Sequence, residues 1–368
     1  VNWEPDRLDD QKQLTEGDPA GMLRAVAASA AQVRTSRRAA LETDLSVLSK
    51  DGRPRALVVA GMGGSGIAGD ILNVVCGPGA PLPIVTVRSH RLPGWVGVTD
   101  LVIAVSCSGR TEETLATATE AVRRGCRLLV LGAPDSPLQA IARQAGAPFV
   151  PVVCGSQPRA AVWALTIPLI VAAAELGLLT AGEEVFESVA ERLEDIAHRC
   201  RPVSESFINP GKSLAMEIAE TVPMIWGSSP LAAVAAYRWS CQLNENGKYP
   251  ALWGEIPEVN HNQMAVFDGP LATRDIFSDE GGRSIRLFVL RDVEEHPQVA
   301  RRREISVRAA QDRDVPVTQI LAEGTHPLER LATLIELGDY ASTYLALGYG
   351  IDPTPVSAIR ELKSRISQ

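Results

Sequence analysis

The chain is poor in the residue patterns that build metal and disulfide frameworks. Its six cysteines (Cys76, Cys107, Cys126, Cys154, Cys200, Cys241) form no C-x-x-C pair. Its five histidines (His90, His198, His261, His296, His326) pair with no Cys, His or carboxylate at zinc-ligand spacing. Neither a metal nor a cofactor is expected. No apolar stretch reaches the roughly 18 residues that suggest a membrane span, and the opening VNWEPDRLDD lacks the basic-then-apolar order of a signal peptide. Basic residues are outnumbered 36 to 44, and the net charge of −8 argues against a nucleic-acid partner. These absences predict a cytoplasmic protein with no membrane partner and with reduced thiols. Cys107 is expected to pack inward, because its side chain should alternate away from Ser106 and Ser108.

At 368 residues and 45% apolar content, the chain has room for two domains, each with its own core. Residues 7–50 carry helical periodicity and read as two N-terminal helices. From residue 56 the pattern alternates, with strands expected at 56–60, 83–88, 101–106, 127–131 and 148–153 and helices at 65–76, 111–124 and 137–145. Residues 159–200 read as helical. A second alternating region follows from about 213, with Val222–Trp226 as a strand and Leu231–Leu243 as a helix. Further strands are expected at 286–291 and 315–321, and helices at 294–312 and 327–346. Such alternation predicts an α/β protein with parallel sheets covered by helices on both faces. The second half reads as a degenerate copy of the first.

Two turns stand out. Residues 57–70 read LVVAGMGGSGIAGD and residues 101–114 read LVIAVSCSGRTEET, each an apolar run broken by small, hydroxyl-rich residues before a helical pattern. A helix start offers unpaired N–H groups and a partial positive charge, and glycine lets an anion approach the backbone. Ser65, Ser106, Ser108 and Thr111 add hydroxyl donors, so the expected ligand is a phosphate ester. Gly61–Gly66 also fits the G-x-G-x-x-G dinucleotide fingerprint, but the following strand ends in Arg88-Ser89-His90 rather than in the acidic residue that holds a ribose. An arginine there suits a 2′-phosphate, so NADP stays open on this loop alone. In the second half the matching loop is Asp292-Val293-Glu294-Glu295, whose charge would repel a phosphate.

The loops Gly63-Gly64-Ser65 and Ser106-Cys107-Ser108-Gly109-Arg110-Thr111 are accompanied by Asn244-Glu245-Asn246-Gly247-Lys248, Glu258-Val259-Asn260-His261-Asn262 and a tail ending Glu361-Leu362-Lys363. Together they resemble the bifunctional phosphoglucose/phosphomannose isomerases, which are built from two sugar-isomerase (SIS) domains. The resemblance runs from the first loop to the tail, and its most specific parts are the Asn-Glu-Asn and Asn-His-Asn motifs, 16 residues apart from Glu245 to His261. It implies N-terminal helices over 1–50, a phosphate-binding SIS domain over 51–182, a helical linker over 183–212 and a second SIS domain with a helical tail over 213–368. Each domain would be a three-layer αβα sandwich.

By the same resemblance, Gly63, Gly64, Ser65, Ser106, Ser108 and Thr111 bind the phosphate of a hexose 6-phosphate. Glu245 matches the family's base, His261 its ring-opening histidine, Arg159 its intermediate-stabilising arginine and Lys363 its C-terminal active-site lysine. The histidine comes from a neighbouring subunit, which implies a homodimer. This chain departs from the pattern at Arg110, where the family has Asn, and at Gly247, where it has Ala.

The residue types suit the chemistry. Moving a proton between C2 and C1 through a cis-enediol needs one carboxylate, and burial raises a carboxylate toward the range where it works as a base. Ring opening needs a group that titrates near neutrality, as histidine does. Enediolate charge calls for a fixed cation. Four other readings compete: a sugar-phosphate sensor, an isomerase paralogue acting on another sugar phosphate, a paired-SIS synthase, which would need a glutaminase domain that this sequence lacks, and an NADP-dependent reductase.

Overall fold

In the computed structural model, which describes residues 2–50, 52–155, 157–272 and 284–366, the chain runs α1 (Gln11–Gly17), α2 (Met22–Ala27), α3 (Ser29–Leu41), β1 (Leu57–Ala60), α4 (Gly64–Cys76), β2 (Ile84–Val87), β3 (Leu101–Ser106), α5 (Glu112–Arg123), β4 (Arg127–Gly132), α6 (Pro137–Ala145), β5 (Phe149–Pro151), α7 (Val162–Glu175) and α8 (Glu183–Arg199). It continues through α9 (Pro210–Ile218), β6 (Thr221–Gly227), α10 (Pro230–Glu245), β7 (Leu252–Glu255), β8 (Ser284–Arg291), α11 (Pro297–Gln311), β9 (Val317–Leu321), α12 (Pro327–Gly348) and α13 (Ser357–Ile366). By packing it divides into two units, one of residues 27–194 with 325–329, the other of 1–26, 195–324 and 330–368.

In the first unit all six residues of β3 are buried, as a strand covered on both faces requires. Its sheet has the order β2-β1-β3-β4-β5 with every pair parallel. Val58, Val102 and Val130 point to one face and meet Ala118 and Ala121 of α5 and Leu138 and Ala142 of α6. The alternate residues Val59, Ile103 and Leu129 are equally buried on the other face. Each such side chain stabilises the sheet by roughly 1.5–3 kcal/mol.

The second unit repeats the topology with one strand fewer, β7-β6-β8-β9, again all parallel. Met224, Trp226, Leu287 and Val289 pack with Val307 and Ala310 of α11. On the other face Trp239 of α10 lies 6.3 Å from Phe288, ring to ring, and donates its indole N–H to the Leu334 carbonyl at 2.7 Å. The N-terminal residues belong to this core: the Trp3 ring sits 5.1 Å from Tyr349, and the Glu4 amide donates to the Gly348 carbonyl at 3.0 Å.

Residues 159–200 are helical as expected, in two helices, and the structure corrects the reading in three places. Residues 7–50 hold three α-helices rather than two. β7 went unread because it is four residues long, contains Gly254 and lies at the sheet edge. The thiols are not all reduced: Cys107 and Cys154 form a disulfide, with Cα atoms 6.1 Å apart.

Candidate active site

In an open parallel sheet, ligands bind beyond the carboxyl ends of the strands where the strand order reverses direction. In the first unit that point lies between β1 and β3, and the two Gly/Ser loops leave the sheet there. Gly63 caps α4 with φ +53° and ψ −128°, a conformation that side chains resist. Ser65 follows in the first helical turn and is buried to 6% exposure. In the second loop the Gly109 amide closes a tight turn onto the Ser106 carbonyl at 3.0 Å. Gly109 has φ +63°, and a Cβ there would meet the Ser136 hydroxyl at 2.1 Å.

That turn brings the Ser106 and Thr111 hydroxyls to 2.9 Å of each other, while the Arg110 amide donates to the Ser108 hydroxyl at 3.2 Å. Ser106 is buried, Thr111 half-buried and Ser108 exposed. A row of hydroxyls and helix-start amides is chemistry for an anion held by hydrogen bonds. Arg88, the residue left open for a 2′-phosphate, is paired with Asp70 on α4.

Arg159 lies in a single 3₁₀ turn, Pro158–Ala160, just before α7 and is half-buried. Gln32 of α3 holds that turn: its amide donates to the Ala160 carbonyl at 2.9 Å, and its side-chain oxygen accepts from the Ala164 amide at 3.3 Å. Nothing in the local sequence of α3 points to this role.

In the second unit Glu245 is the last residue of α10 and is half-buried. Its neighbours are fixed from all sides. Asn246 is fully buried and donates to the Ser342 hydroxyl at 3.0 Å, and the Lys248 ammonium donates to the Asn246, Asp352 and Pro353 carbonyls at 3.2, 3.0 and 2.9 Å. Lys248 thereby ties the residues leading into α13 to the turn that carries Glu245. Two turns back on α10, Arg238 makes a two-pronged ion pair with Asp339 at 3.0 and 2.5 Å. Burial pushes the Asp339 carboxyl above its ordinary value, and Arg238 pulls it back.

His261 ends a 3₁₀ turn, Glu258–His261, and is exposed. The flanking asparagines hold the loop: Asn260 donates to Ser306 at 2.7 Å, and Asn262 donates to Glu258 at 2.9 Å and accepts from the Gln263 amide at 2.5 Å. Gln263 in turn accepts from the Trp226 indole at 2.7 Å, which anchors the segment to β6. Lys363 sits on α13, a helix with no buried residue.

The equivalent switch point of the second unit is differently filled. Ser229 caps α10 and donates to Asp292 at 2.9 Å, and Arg330 lies 2.9 Å from the other oxygen of the same carboxylate. The chain supplies its own anion at that helix start. Among the described residues no group of three or more His, Cys, Asp or Glu gathers as a metal site, and no helix is long and apolar enough to cross a membrane.

Two parallel αβα sheets with a hydroxyl loop at the first switch point define a protein of the sugar-isomerase (SIS) class. The model of the bacterial phospho-glucose isomerase C-terminal SIS domain matches residues 207–366. A bifunctional phosphoglucose/phosphomannose isomerase of Caldicellulosiruptor bescii is 33% identical over 85% of this chain and 89% of its own length. One of Aquifex aeolicus is 30% identical over 87% and 93%. Among solved structures, a hypothetical protein of Thermus thermophilus shares the fold with a TM-score of 0.73 at 15% identity, covering 97% of this chain and 93% of that one. The chain belongs to the bifunctional phosphoglucose/phosphomannose isomerase family.

Proposed function

We propose that this chain interconverts glucose 6-phosphate, mannose 6-phosphate or both with fructose 6-phosphate through a cis-enediol. The observation that carries the reading is the hydroxyl loop at the β1/β3 switch point in a family member that also retains Asn244-Glu245-Asn246 and Asn260-His261-Asn262.

In this reading Gly63, Gly64, Ser65, Ser106, Ser108 and Thr111 hold the phosphate. His261 opens the sugar ring, giving a proton to the ring oxygen as the anomeric hydroxyl loses one. Glu245 removes the C2 proton of the aldose and returns it to C1, and a second proton passes between the oxygens. Arg159 stabilises the enediolate, worth several kcal/mol where water is excluded, and Lys363 completes the set. The reading includes a cytoplasmic homodimer in which His261 serves the neighbouring subunit; its exposed position on the surface of this chain suits that role. The domain limits at 51–182 and 213–368 belong to the same proposal.

Incubation with fructose 6-phosphate in D2O tests it. Deuterium should enter the aldose at C2, and Glu245→Gln should abolish the exchange while sugar-phosphate binding persists. Wild-type exchange in that variant removes Glu245 as the base. Saturable binding by the wild-type protein with no exchange would select a sugar-phosphate sensor instead.

A further inference from the structure

The Cys107–Cys154 disulfide joins two segments of one unit that the proposed function uses separately. Cys107 stands between Ser106 and Ser108, inside the hydroxyl loop that follows β3. Cys154 follows β5 and precedes Arg159 by five residues. In the sheet β3 and β5 are not neighbours, because β4 lies between them. The bond therefore crosses the carboxyl end of β4 and straps the phosphate loop to the segment leading to Arg159. Both cysteines are half-buried, within reach of a small thiol. Three of the other cysteines are poorly suited to compete, since burial pushes the Cys200 thiol up to about 12, that of Cys76 up to about 11 and that of Cys126 above its ordinary value.

We propose that this pair is a thiol–disulfide switch on phosphate affinity: closing the bond holds the Ser106–Thr111 loop in its anion-binding arrangement, and opening it lets the loop relax. The inference rests on the assignment of that loop to the substrate phosphate. The oxidant is a low-molecular-weight disulfide. One protein thiolate attacks it and releases one small thiol; the second protein thiolate then attacks the mixed disulfide, forming the Cys107–Cys154 bond and releasing the other. Two electrons and two protons leave as two small thiols, and a dithiol reverses the exchange. The loop's freedom is removed before the ligand arrives, so less is lost on binding.

The test compares the full-length protein after treatment with dithiothreitol and after treatment with oxidised glutathione, each reagent removed before measurement. Titration of the denatured protein should find six thiols in the first form and the four of Cys76, Cys126, Cys200 and Cys241 in the second. Calorimetry with inorganic phosphate and with fructose 6-phosphate should show roughly 3- to 10-fold tighter binding in the oxidised form. Cys154→Ser and Cys154→Ala, which leave the hydroxyl loop untouched, should bind like the reduced wild type under both treatments. Equal or weaker binding on oxidation, six thiols after oxidised glutathione, or the same redox response in both Cys154 variants would overturn the switch. Absence of isomerase turnover in both forms would count against the proposed function alone, because phosphate affinity reads the switch without turnover.

Discussion

Ser229 donates its hydroxyl to Asp292 across 2.9 Å at the start of α10, where the first unit keeps Ser106 and Thr111 hydroxyls facing each other. Two sheets of the same topology have thus divided the work. One switch point holds an internal carboxylate, already neutralised by Arg330. In the proposed function the other presents its donors to the substrate phosphate.

The internal anion is structural: Arg330, at 3% side-chain exposure, pairs with both Asp292 and Glu294, so Asp292→Ala should lower stability by about 1.5–3 kcal/mol, the usual loss of a hydrogen bond to a charged group, while Glu294 keeps the guanidinium paired. Urea unfolding followed by tryptophan fluorescence measures this. Affinity for fructose 6-phosphate in the surviving folded protein should stay at the wild-type level.

Ser106→Ala removes the partner of Thr111 and, in the proposed function, one donor to the phosphate. A hydrogen bond to a charged group is worth about 1.5–3 kcal/mol. KM for the hexose 6-phosphate should therefore rise roughly 10-fold or more, with kcat changing less. A fall in kcat at constant KM would place Ser106 at the reacting carbons instead.

Gly247→Ala restores the residue usual in the family. A Cβ at this position would lie 2.9 Å from the Leu243 carbonyl and 3.2 Å from Leu345. The turn after Glu245 must shift to admit it, at about 1–3 kcal/mol. Loss of stability together with reduced kcat is expected; an unchanged enzyme would mean that the turn tolerates the shift without moving Glu245, the base of the proposed function.

Acid should destabilise the first unit partly through Glu120. The Leu92 amide donates to its carboxylate, burial opposes the effect, and Arg124 adds to it, so the pKa is held below its ordinary value. A depressed pKa contributes stability above the unfolded value of about 4.3, and that contribution disappears as pH falls through the folded value. Glu120→Gln should flatten the loss of urea stability as pH falls below the unfolded value. An unaltered slope would shift the effect to other carboxylates.

Much of this architecture was legible along the chain. The strands around Val58, Val102 and Leu129 are continuous apolar runs because both faces of a parallel sheet are covered. Their loops stand out because two successive helix starts carry several glycines and hydroxyls each, more than the single cap that a helix start needs. Glu245 and His261 were readable only through their motifs, since one carboxylate at a helix end or one histidine in a loop is ordinary. Gln32 was not readable at all: its work at Ala160 and Ala164 depends on α3 lying beside α7.

Local sequence by itself determined the alternation of strands and helices, the glycine- and hydroxyl-rich character of the first two loops and the acidic replacement of their counterpart. Hydrophobic periodicity and helix-start chemistry act over a few residues, and a reader of the chain sees them directly. The tertiary structure alone decided that Asp292 would be held by Ser229 and Arg330, that Cys107 would meet Cys154 across 47 residues, and that Lys248 would tie the tail to the Glu245 turn. Those contacts join segments distant in the chain, and the choice among possible partners is made by which surfaces the packed sheets and helices bring within hydrogen-bonding or bonding distance.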